Sequence, residues 1–388
     1  MSTFDSWAYL RTVIDGPSPH LQALFRAGRD ADEIARGLRT RASWLGGLLG
    51  DTEHTRNLNP HEMLDKASLA GFALIHPDSP EWPAEEIDGS FDFLSVSDSV
   101  SSASTKELTK PHGLWVSGNQ DLRTLVAQSV GIVGTRNATD YGRKATATLC
   151  AELARHNYTV VSGGALGIDT VAHRAALEHQ LPTVAIMAGG PGWIYPLRNK
   201  ELFSTITQRG GALVSEYSPG SQSYRWRFLE RNRLIAALTP GTVVVEAPYR
   251  SGALNTMTRV NDFGRLPMAM PGPIQGLGQS DGCNQLIKRN EAMPVTDVRD
   301  VHQYLCSIGT VDVENQLELE YAPSQVQALS RNELRVYDAL NPLGDKGITC
   351  TEVAEKAGLT TALTVHLLVD LVKRNVVTRD GEHWARMI

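Results

Sequence analysis

Short apolar runs alternate with helical stretches over residues 131–272. Six runs of four to six residues read as strands, and the first three end in Gly-rich turns that precede helices. Because each run is apolar at consecutive positions, both faces of each strand are predicted to be buried, as in a parallel sheet. The pattern predicts a doubly wound α/β domain, whose ligands bind outside the carboxyl ends of the strands. The runs lie within 130–136, 158–169, 183–192, 212–217, 242–247 and 266–272.

The beginning of the chain shows helical periodicity instead. Apolar side chains recur at helical spacing in four segments, at 7–14, 21–25, 38–49 and 61–69. We interpret these segments as a small helical bundle that covers the α/β domain, in preference to a module that grips DNA. Residues 95–110 are rich in serine, which predicts a surface loop, and residues 114–118 predict a short strand that joins the main sheet.

Past residue 310 the pattern changes again. An acidic stretch over 311–329 predicts a linker, and three amphipathic helices followed by a hairpin predict a winged helix over 330–388. The predicted winged helix at 330–388 holds eight Lys or Arg and eight Asp or Glu residues, so its net charge is zero. Its third helix offers His366 and Asp370 where a groove reader usually presents Arg, Lys, Asn or Gln. A contact with a protein is therefore at least as well supported as base reading in duplex DNA.

The composition narrows the class of protein. A chain of 388 residues is long enough for two or three domains, and a formal net charge of −6 argues against a generally basic nucleic-acid binder. The four cysteines lie far apart with no Cys-x-x-Cys, a spacing that fits neither a zinc site nor a disulfide scaffold. We see no signal peptide and no apolar run of membrane-spanning length. The sequence therefore predicts a cytoplasmic protein without a metal site or a cofactor.

Gly-rich turns between strand and helix supply the first candidate chemistry. Such a turn aims backbone N–H groups, and the positive end of the helix dipole, at an anion. The turns match neither the Gly-x-Gly-x-x-Gly fingerprint of dinucleotide sites nor the loop that binds triphosphates. Their recurrence at successive strand ends favours a phosphate-binding site over glycines that only make tight turns. The predicted contacts are Gly134, Thr135 and Arg136 in the first turn and Ser162, Gly163 and Gly164 in the second.

The strongest chemical feature is the stretch YRWRFLERNR at 224–233, in which four arginines are interleaved with three aromatic residues. Arg pairs bidentately with phosphate, and aromatic rings stack on unpaired bases, whose faces a duplex hides. The alternative is that the aromatic rings are core and that the arginines pair with acids such as Glu230 and Glu246. Beside the phosphate-binding turns, we favour binding of a single nucleic-acid strand. The arginines are Arg225, Arg227, Arg231 and Arg233.

Two further features have weaker signals. Ser251 is a candidate helix N-cap, and its hydroxyl with the N–H groups around Gly252 would bind one more phosphate. Asp169 and His173 lie four residues apart on one predicted helix face, but no nucleophile or metal cluster accompanies them. We interpret Asp169 as a structural cap or turn residue, and we predict no catalytic residue.

The motifs together resemble DNA-processing protein A, the DprA/Smf family. The resemblance rests on GIVGTR (131–136), SGGALGID (162–169), FLERNRLI (228–235), VVEA (244–247) and SGALNT (251–256), in that order. It implies an extended Rossmann-like domain that binds single-stranded DNA, forms a homodimer and is not an enzyme. It also implies that the protein protects incoming single strands and loads the recombinase RecA in natural transformation.

The resemblance also implies a domain plan and roles for individual residues. The plan is an N-terminal helical (SAM-like) domain at 1–110, the Rossmann-like domain at 111–310, a linker at 311–329 and a winged helix at 330–388. The implied phosphate contacts are Gly134, Thr135, Arg136, Gly163 and Gly164. The implied basic and base-stacking contacts are Arg225 and Phe228, and Arg231 and Arg233 complete a basic rim.

A related set of Rossmann-like enzymes gives the rival prediction. These enzymes cleave nucleoside monophosphates at the N-glycosidic bond with a Gly-Gly-x-Gly-Thr turn and a glutamate, which GGPG at 189–192 and Glu246 faintly resemble. The threonine is absent, and the turn and the acid follow different strands. A third interpretation, a regulator that binds duplex DNA through the winged helix, is disfavoured by the neutral charge of that segment.

Overall fold

The chain forms two units, Met1–Cys306 and Ser307–Ile388. The structure is a computed structural model that describes residues 3–96, 105–273, 278–306, 329–342 and 346–387. Residues 311–328 of the predicted linker and residues 97–104 of the predicted Ser-rich loop lie outside these ranges. The four-part domain plan stays a prediction.

Nine strands of the described residues of the first unit form one sheet. They are β1 Phe72–Ile75, β2 Leu114–Gly118, β3 Ser129–Val133, β4 Thr159–Ser162, β5 Thr183–Met187, β6 Ala212–Ser215, β7 Gly241–Val244, β8 Leu266–Ala269 and β9 Met293–Pro294. Their order across the sheet is β1-β2-β6-β5-β4-β3-β7-β8-β9. The pairs from β6 to β9 are parallel, whereas β2 runs antiparallel to β6 and to β1. This arrangement confirms the predicted parallel-dominated α/β fold and places the predicted strand β2 in the main sheet.

Helices precede the sheet and connect its strands. The first five are α1 Thr3–Val13, α2 Pro19–Arg26, α3 Ala31–Thr40, α4 Leu48–Asp51 and α5 Pro60–Leu69. Those that follow are α6 Ala84–Val96, α7 Leu122–Ala127, α8 Asp140–Arg155, α9 Ile168–Glu178, α10 Lys200–Gln208, α11 Arg225–Ala237, α12 Gly252–Asp262, α13 Asp281–Lys288 and α14 Arg299–Leu305.

Consecutive strand residues belong to different cores. Val161 and Val244 pack in one buried cluster, while Val160 and Val243, their immediate neighbours in sequence, pack in another. Because successive side chains of a strand point to opposite faces, the sheet is covered by helices on both sides. This is the physical reason that the central strands read as continuous apolar runs.

Residues 38–49 do not form one helix, so that prediction is wrong. α3 ends at Thr40, because Arg41 adopts the left-handed conformation, with φ 53°, that terminates helices. A 3-10 turn at Ser43–Leu45 and the short helix α4 follow, separated by Gly46 and Gly47. The remainder of the predicted Ser-rich loop also contains structure, since α6 reaches Val96 and a 3-10 turn occupies Thr105–Leu108.

The second unit contains three helices and short strands in its described residues. These are α15 Arg331–Ala339, β10 Asn341–Pro342, β11 Ile348–Thr349, α16 Cys350–Ala357, α17 Thr361–Lys373, β12 Val377–Asp380 and β13 His383–Arg386. The Thr349 hydroxyl accepts a hydrogen bond from Glu352 N and caps α16. β12 and β13 pair antiparallel. The winged-helix interpretation of this unit stays a prediction.

Candidate nucleic-acid interface

The candidate site lies where the chain direction across the sheet reverses. From β3 the chain builds outwards through β4, β5 and β6, and it then returns to place β7 on the other side of β3. In α/β sheets, the crevice outside the carboxyl ends of the strands at such a point is the usual ligand site. Gly134 and Arg136 follow β3 here, and Ser251 follows β7. Arg136 is exposed to solvent.

The turn after β3 packs against the turn that opens α9. Thr135 N donates a hydrogen bond of 2.6 Å to the Glu246 carbonyl oxygen, and Ile168 N donates one of 3.1 Å to the Thr135 carbonyl oxygen. A Cβ on Gly134 would lie 2.5 Å from Ile168 Cγ1, and one on Gly167, whose φ is +84°, would lie 2.7 Å from the Cα of Arg136. The glycines allow this close approach, and Arg136 projects from it into solvent.

Arg231 lies buried beneath the second Gly-rich turn. Its Nη1 donates to the carbonyl oxygens of Gly163 and Ile186, and a Cβ on Gly163 would lie 2.6 Å from its Nη2. Burial lowers the pKa of Arg231 to about 10, with the Asp169 carboxylate opposing that shift, so the guanidinium stays charged at neutral pH. The residue therefore places a fixed cation under the turn, whereas the sequence predicted an exposed member of a basic rim.

Three other residues near this turn have structural partners. Ser162 is buried, and its hydroxyl donates to the Ile132 carbonyl oxygen at 2.6 Å, so the predicted hydroxyl contact with DNA is not accessible in this conformation. Asp169 accepts a hydrogen bond from Ala165 N at 3.3 Å, and burial raises its pKa. His173 Nδ1 lies 2.7 Å from the Thr183 hydroxyl, and burial lowers the pKa of His173 to about 3.

The exposed face of α11 meets Arg136. Phe228 is partly exposed, and its ring centroid lies 5.1 Å from the Arg136 guanidinium carbon and 6.0 Å from that of Arg231. Tyr195 contacts the same ring edge-on, with 5.7 Å between centroids. Arg225, at the first residue of α11, is exposed. The structure thus brings the exposed cation of Arg136 and the buried cation of Arg231 together at the partly exposed ring of Phe228.

Arg227 and Arg233 are buried in ion pairs instead. Arg227 Nη2 lies 2.6 Å from Asp15 Oδ2, and Arg233 Nη2 lies 2.6 Å from Glu216 Oε2. Arg233 is 0% exposed, so direct contact with DNA is not available to it in this conformation. The pairing of arginines with acids that the sequence offered as an alternative is therefore present for these two residues.

The acids named in that alternative have other partners. Glu230 accepts a hydrogen bond from the Tyr217 hydroxyl at 3.2 Å. Glu246 is buried and accepts bonds from Thr139 N at 2.9 Å and from the Thr139 hydroxyl at 2.7 Å, at the start of α8.

The turn after β7 offers open backbone to a ligand. The Ser251 hydroxyl accepts a hydrogen bond of 3.2 Å from Ala253 N, so Ser251 caps α12 as predicted. Gly252 is exposed, and a Cβ there would meet no atom within 4 Å. Asn232 Nδ2 donates to the Gly252 carbonyl oxygen at 3.3 Å and ties this turn to α11.

Two contributors, Tyr195 and Asp15, were not among the predicted site residues. Tyr195 lies in the loop after β5 and Asp15 in the loop after α1. The pair Tyr195-Pro196, which also fits the family resemblance, was the available signal for Tyr195, whereas the partnership of Asp15 with Arg227 spans 212 residues and leaves no mark in the sequence.

The GGPG turn at 189–192, which suggested an N-glycosidase, packs against other residues of the chain and leaves no room for a ligand at Gly190. Gly190 N donates to the Ser221 carbonyl oxygen at 2.9 Å, and a Cβ on Gly190 would lie 2.7 Å from the Ser218 carbonyl carbon. Within the described residues, no cluster of three or more His, Cys, Asp or Glu side chains is placed to hold a metal ion. None of the helices in the described ranges is long and apolar enough to cross a membrane.

Comparisons with known proteins show the family of this chain. The sequence model of DNA recombination-mediator protein A matches residues 92–306. A putative DNA processing protein DprA of Mycobacterium tuberculosis is 36% identical over 393 residues, which cover 98% of this chain and 93% of that protein. Protein Smf of Escherichia coli is 35% identical over 263 residues, 67% of this chain and 68% of the relative. The X-ray structure of DNA processing protein A from Streptococcus pneumoniae superposes with a TM-score of 0.62 at 28% identity, covering 78% of this chain and 98% of that one. The chain therefore belongs to the DNA recombination-mediator protein A family, whose members are named DprA or Smf.

Proposed function

We propose that the chain binds single-stranded DNA at the carboxyl edge of its sheet. The observation that carries the proposal is the exposed Arg136 guanidinium 5.1 Å from the partly exposed Phe228 ring. A cation beside an aromatic ring suits a nucleotide whose phosphate pairs with the cation and whose unpaired base stacks on the ring. Arg231 adds a charge from beneath, and the open backbone at Gly252 offers a second phosphate position.

The proposed contacts comprise fewer residues than the sequence predicted. Direct contacts come from exposed or partly exposed residues of the turns and of α11, namely Gly134, Arg136, Arg225, Phe228, Ser251 and Gly252. Thr135, Gly163 and Gly164, which the sequence predicted as phosphate contacts, are buried in this conformation and shape the turns. Arg231 acts through the turn above it, while Arg227 and Arg233 hold α11 in place through their ion pairs. Because the contacts are a few cations and rings with no base-edge reader among them, binding has no strong sequence preference.

A comparison of single-stranded and duplex oligonucleotides tests the proposal. We expect the single strand to bind more tightly, because a duplex hides the base faces that Phe228 requires. The logarithm of affinity falls with the logarithm of salt concentration by about 0.7 for each phosphate neutralised. Equal affinity for duplex, or an affinity that salt does not change, would contradict the site.

The biological role follows from the family and the binding site. We propose a non-enzymatic recombination mediator that protects incoming single strands, acts as a homodimer and loads RecA in natural transformation. The assay is RecA filament formation on DNA coated with single-strand-binding protein, in which added protein shortens the lag. Sedimentation without DNA measures the mass of the protein and so tests whether it is a homodimer.

No contact in the part of the chain that the structure describes favours the rival N-glycosidase. Glu246 holds the start of α8, and the GGPG turn is packed against residues 218–221. Incubation with nucleoside monophosphates is expected to release no free base, and release that Glu246→Gln abolishes would establish the enzyme.

A further inference from the structure

Three aromatic rings outside the proposed contacts lie beyond the carboxyl ends of β5 and β6. Tyr224 and Trp226 are 50% and 48% exposed, and Trp193 is 37% exposed. The rings of Tyr224 and Trp226 are parallel to within 6°, and their centroids lie 6.1 Å apart. Rings of this size left in water form an apolar surface that a flat ligand would cover.

The pair is held from one side by a buried cation. The Arg227 guanidinium carbon lies 5.4 Å from the Tyr224 centroid and 5.1 Å from the Trp226 centroid. Asp15 and the Gln222 carbonyl oxygen fix that guanidinium at 2.6 and 3.0 Å. Rings that are already ordered lose little conformational entropy when a ligand binds, so this surface is preorganised.

The loop after β5 connects the pair to Phe228. A Cβ on Gly189 would lie 2.6 Å from Trp193 Cδ1 and 2.8 Å from Ser223 Oγ, so Trp193 packs beside the residue that precedes Tyr224. Two residues after Trp193, Tyr195 meets the Phe228 ring. Aromatic surface therefore extends from Phe228 along the end of the sheet to Trp226.

We propose that Trp193, Tyr224 and Trp226 form a second base-stacking platform for unpaired bases of the strand whose phosphates lie on Arg136. The inference rests on the proposed function. Arg225 is exposed and lies in sequence between the platform residues Tyr224 and Trp226, which suits a phosphate of the strand whose bases stack there. The ligand is a nucleic-acid strand rather than a protein segment, because the surface combines flat rings with a cation that has no carboxylate partner among the described residues.

The two platforms are neighbours on one helix, because Trp226 precedes Phe228 by only two residues of α11. At roughly 3.4 Å per nucleotide of stacked strand, a strand of 20 nucleotides is long enough to cover both platforms.

The test is Trp226→Leu, which keeps apolar bulk and removes the flat ring. Trp44→Leu is the matched control, since Trp44 is 38% exposed and has the Arg29 guanidinium 5.0 Å from its ring, in the helical segment between α3 and α4. Affinities for dT20 are measured by competition. Stacking of one base is worth about 1–3 kcal/mol, so Trp226→Leu weakens dT20 binding about 5- to 150-fold. The affinity of the control variant stays unchanged, and Trp226→Phe restores most of the loss.

The outcomes separate this inference from the proposed function. If the wild type binds dT20 and Trp226→Leu binds it equally well, the second platform is wrong and the proposed function stands. The same conclusion follows if Trp44→Leu weakens binding as much as Trp226→Leu does. If the wild type does not bind dT20, both the second platform and the proposed function are wrong. A changed sedimentation mass of Trp226→Leu with unchanged DNA affinity would assign the surface to a protein contact. If Trp226→Leu does not fold, cross-linking of wild type to 5-iodouracil in a 20-mer decides: cross-links on Tyr224 or Trp226 support the platform, and cross-links confined to Phe228 overturn it.

Discussion

Gly163→Ala tests the packing of the second turn on Arg231. A Cβ at this position would lie 2.6 Å from Arg231 Nη2 and 2.7 Å from its Cζ, whereas ordinary contact begins near 3.4 Å. Arg231 Nη1 would lie closer still, so the guanidinium or the turn must move by at least about 0.8 Å. Arg231 is buried and holds two carbonyl oxygens, on Gly163 and Ile186, so this movement stretches both hydrogen bonds.

The magnitude follows from the two bonds. A hydrogen bond to a charged group contributes about 1.5–3 kcal/mol, so loss of both would destabilise the unit by about 3–6 kcal/mol. Because the bonds are stretched rather than removed, we expect the free energy of unfolding to fall by about 2–4 kcal/mol. The affinity for single-stranded DNA falls as well, since the turn that faces the phosphate is displaced.

Urea unfolding and oligonucleotide binding of the same preparations measure both effects. Gly50→Ala is the control, because Gly50 lies in α4 and a Cβ there would meet no atom within 4 Å. It is expected to be neutral or stabilising by about 0.5–1 kcal/mol, as alanine is favoured over glycine in a helix. Gly163→Ala with the stability and affinity of the wild type would refute the packing argument.

Three further predictions concern ionisable groups that are buried or paired with a buried group in the same unit. Asp15→Asn weakens the tether of Arg227 and is expected to reduce dT20 affinity by several fold in anisotropy titrations. Glu216→Gln leaves Arg233 buried without its carboxylate, so urea unfolding is expected to show a loss of about 3–5 kcal/mol. Burial lowers the pKa of His173 to about 3, whereas an unfolded histidine titrates near about 6.5. The unfolded chain therefore takes up the proton first, and stability falls as the pH drops from about 6.5 towards 3, by at most about 1.4 kcal/mol per unit. In His173→Gln that contribution is absent, which urea unfolding at pH 7 and pH 5 measures.

The central sheet was predictable because its strands are buried on both faces. Continuous apolar runs ending in Gly-rich turns carry that information locally, and the order of the turns placed the candidate site at the carboxyl ends of the strands. The edge strand β1 was not predicted, because a run of four apolar residues next to a helical segment does not distinguish a strand from a helix end. The left-handed Arg41 likewise has no sequence signal as strong as a glycine would give.

The site was predictable in composition but not in orientation. Alternation of arginine and aromatic residues over 224–233 indicated the chemistry, yet these residues form one helix whose faces point to different surroundings. Arg225 is exposed and Phe228 is partly exposed, while Arg227 and Arg233 meet acids supplied by distant parts of the chain. Which arginine is exposed depends on tertiary partners, and a single sequence does not contain them.

The measurement that tests the central claim most directly is fluorescence anisotropy of labelled dT20 with wild type, Arg136→Glu and Arg36→Glu. Both variants replace an exposed arginine of the first unit and change the net charge equally, but Arg36 lies on α3, outside the candidate site. We predict that Arg136→Glu lowers the affinity at least about 10-fold, as loss of a charge-assisted contact implies, and that Arg36→Glu leaves it unchanged. Equal affinities for the two variants, or tighter binding of duplex than of dT20, would contradict a single-strand site at the end of β3.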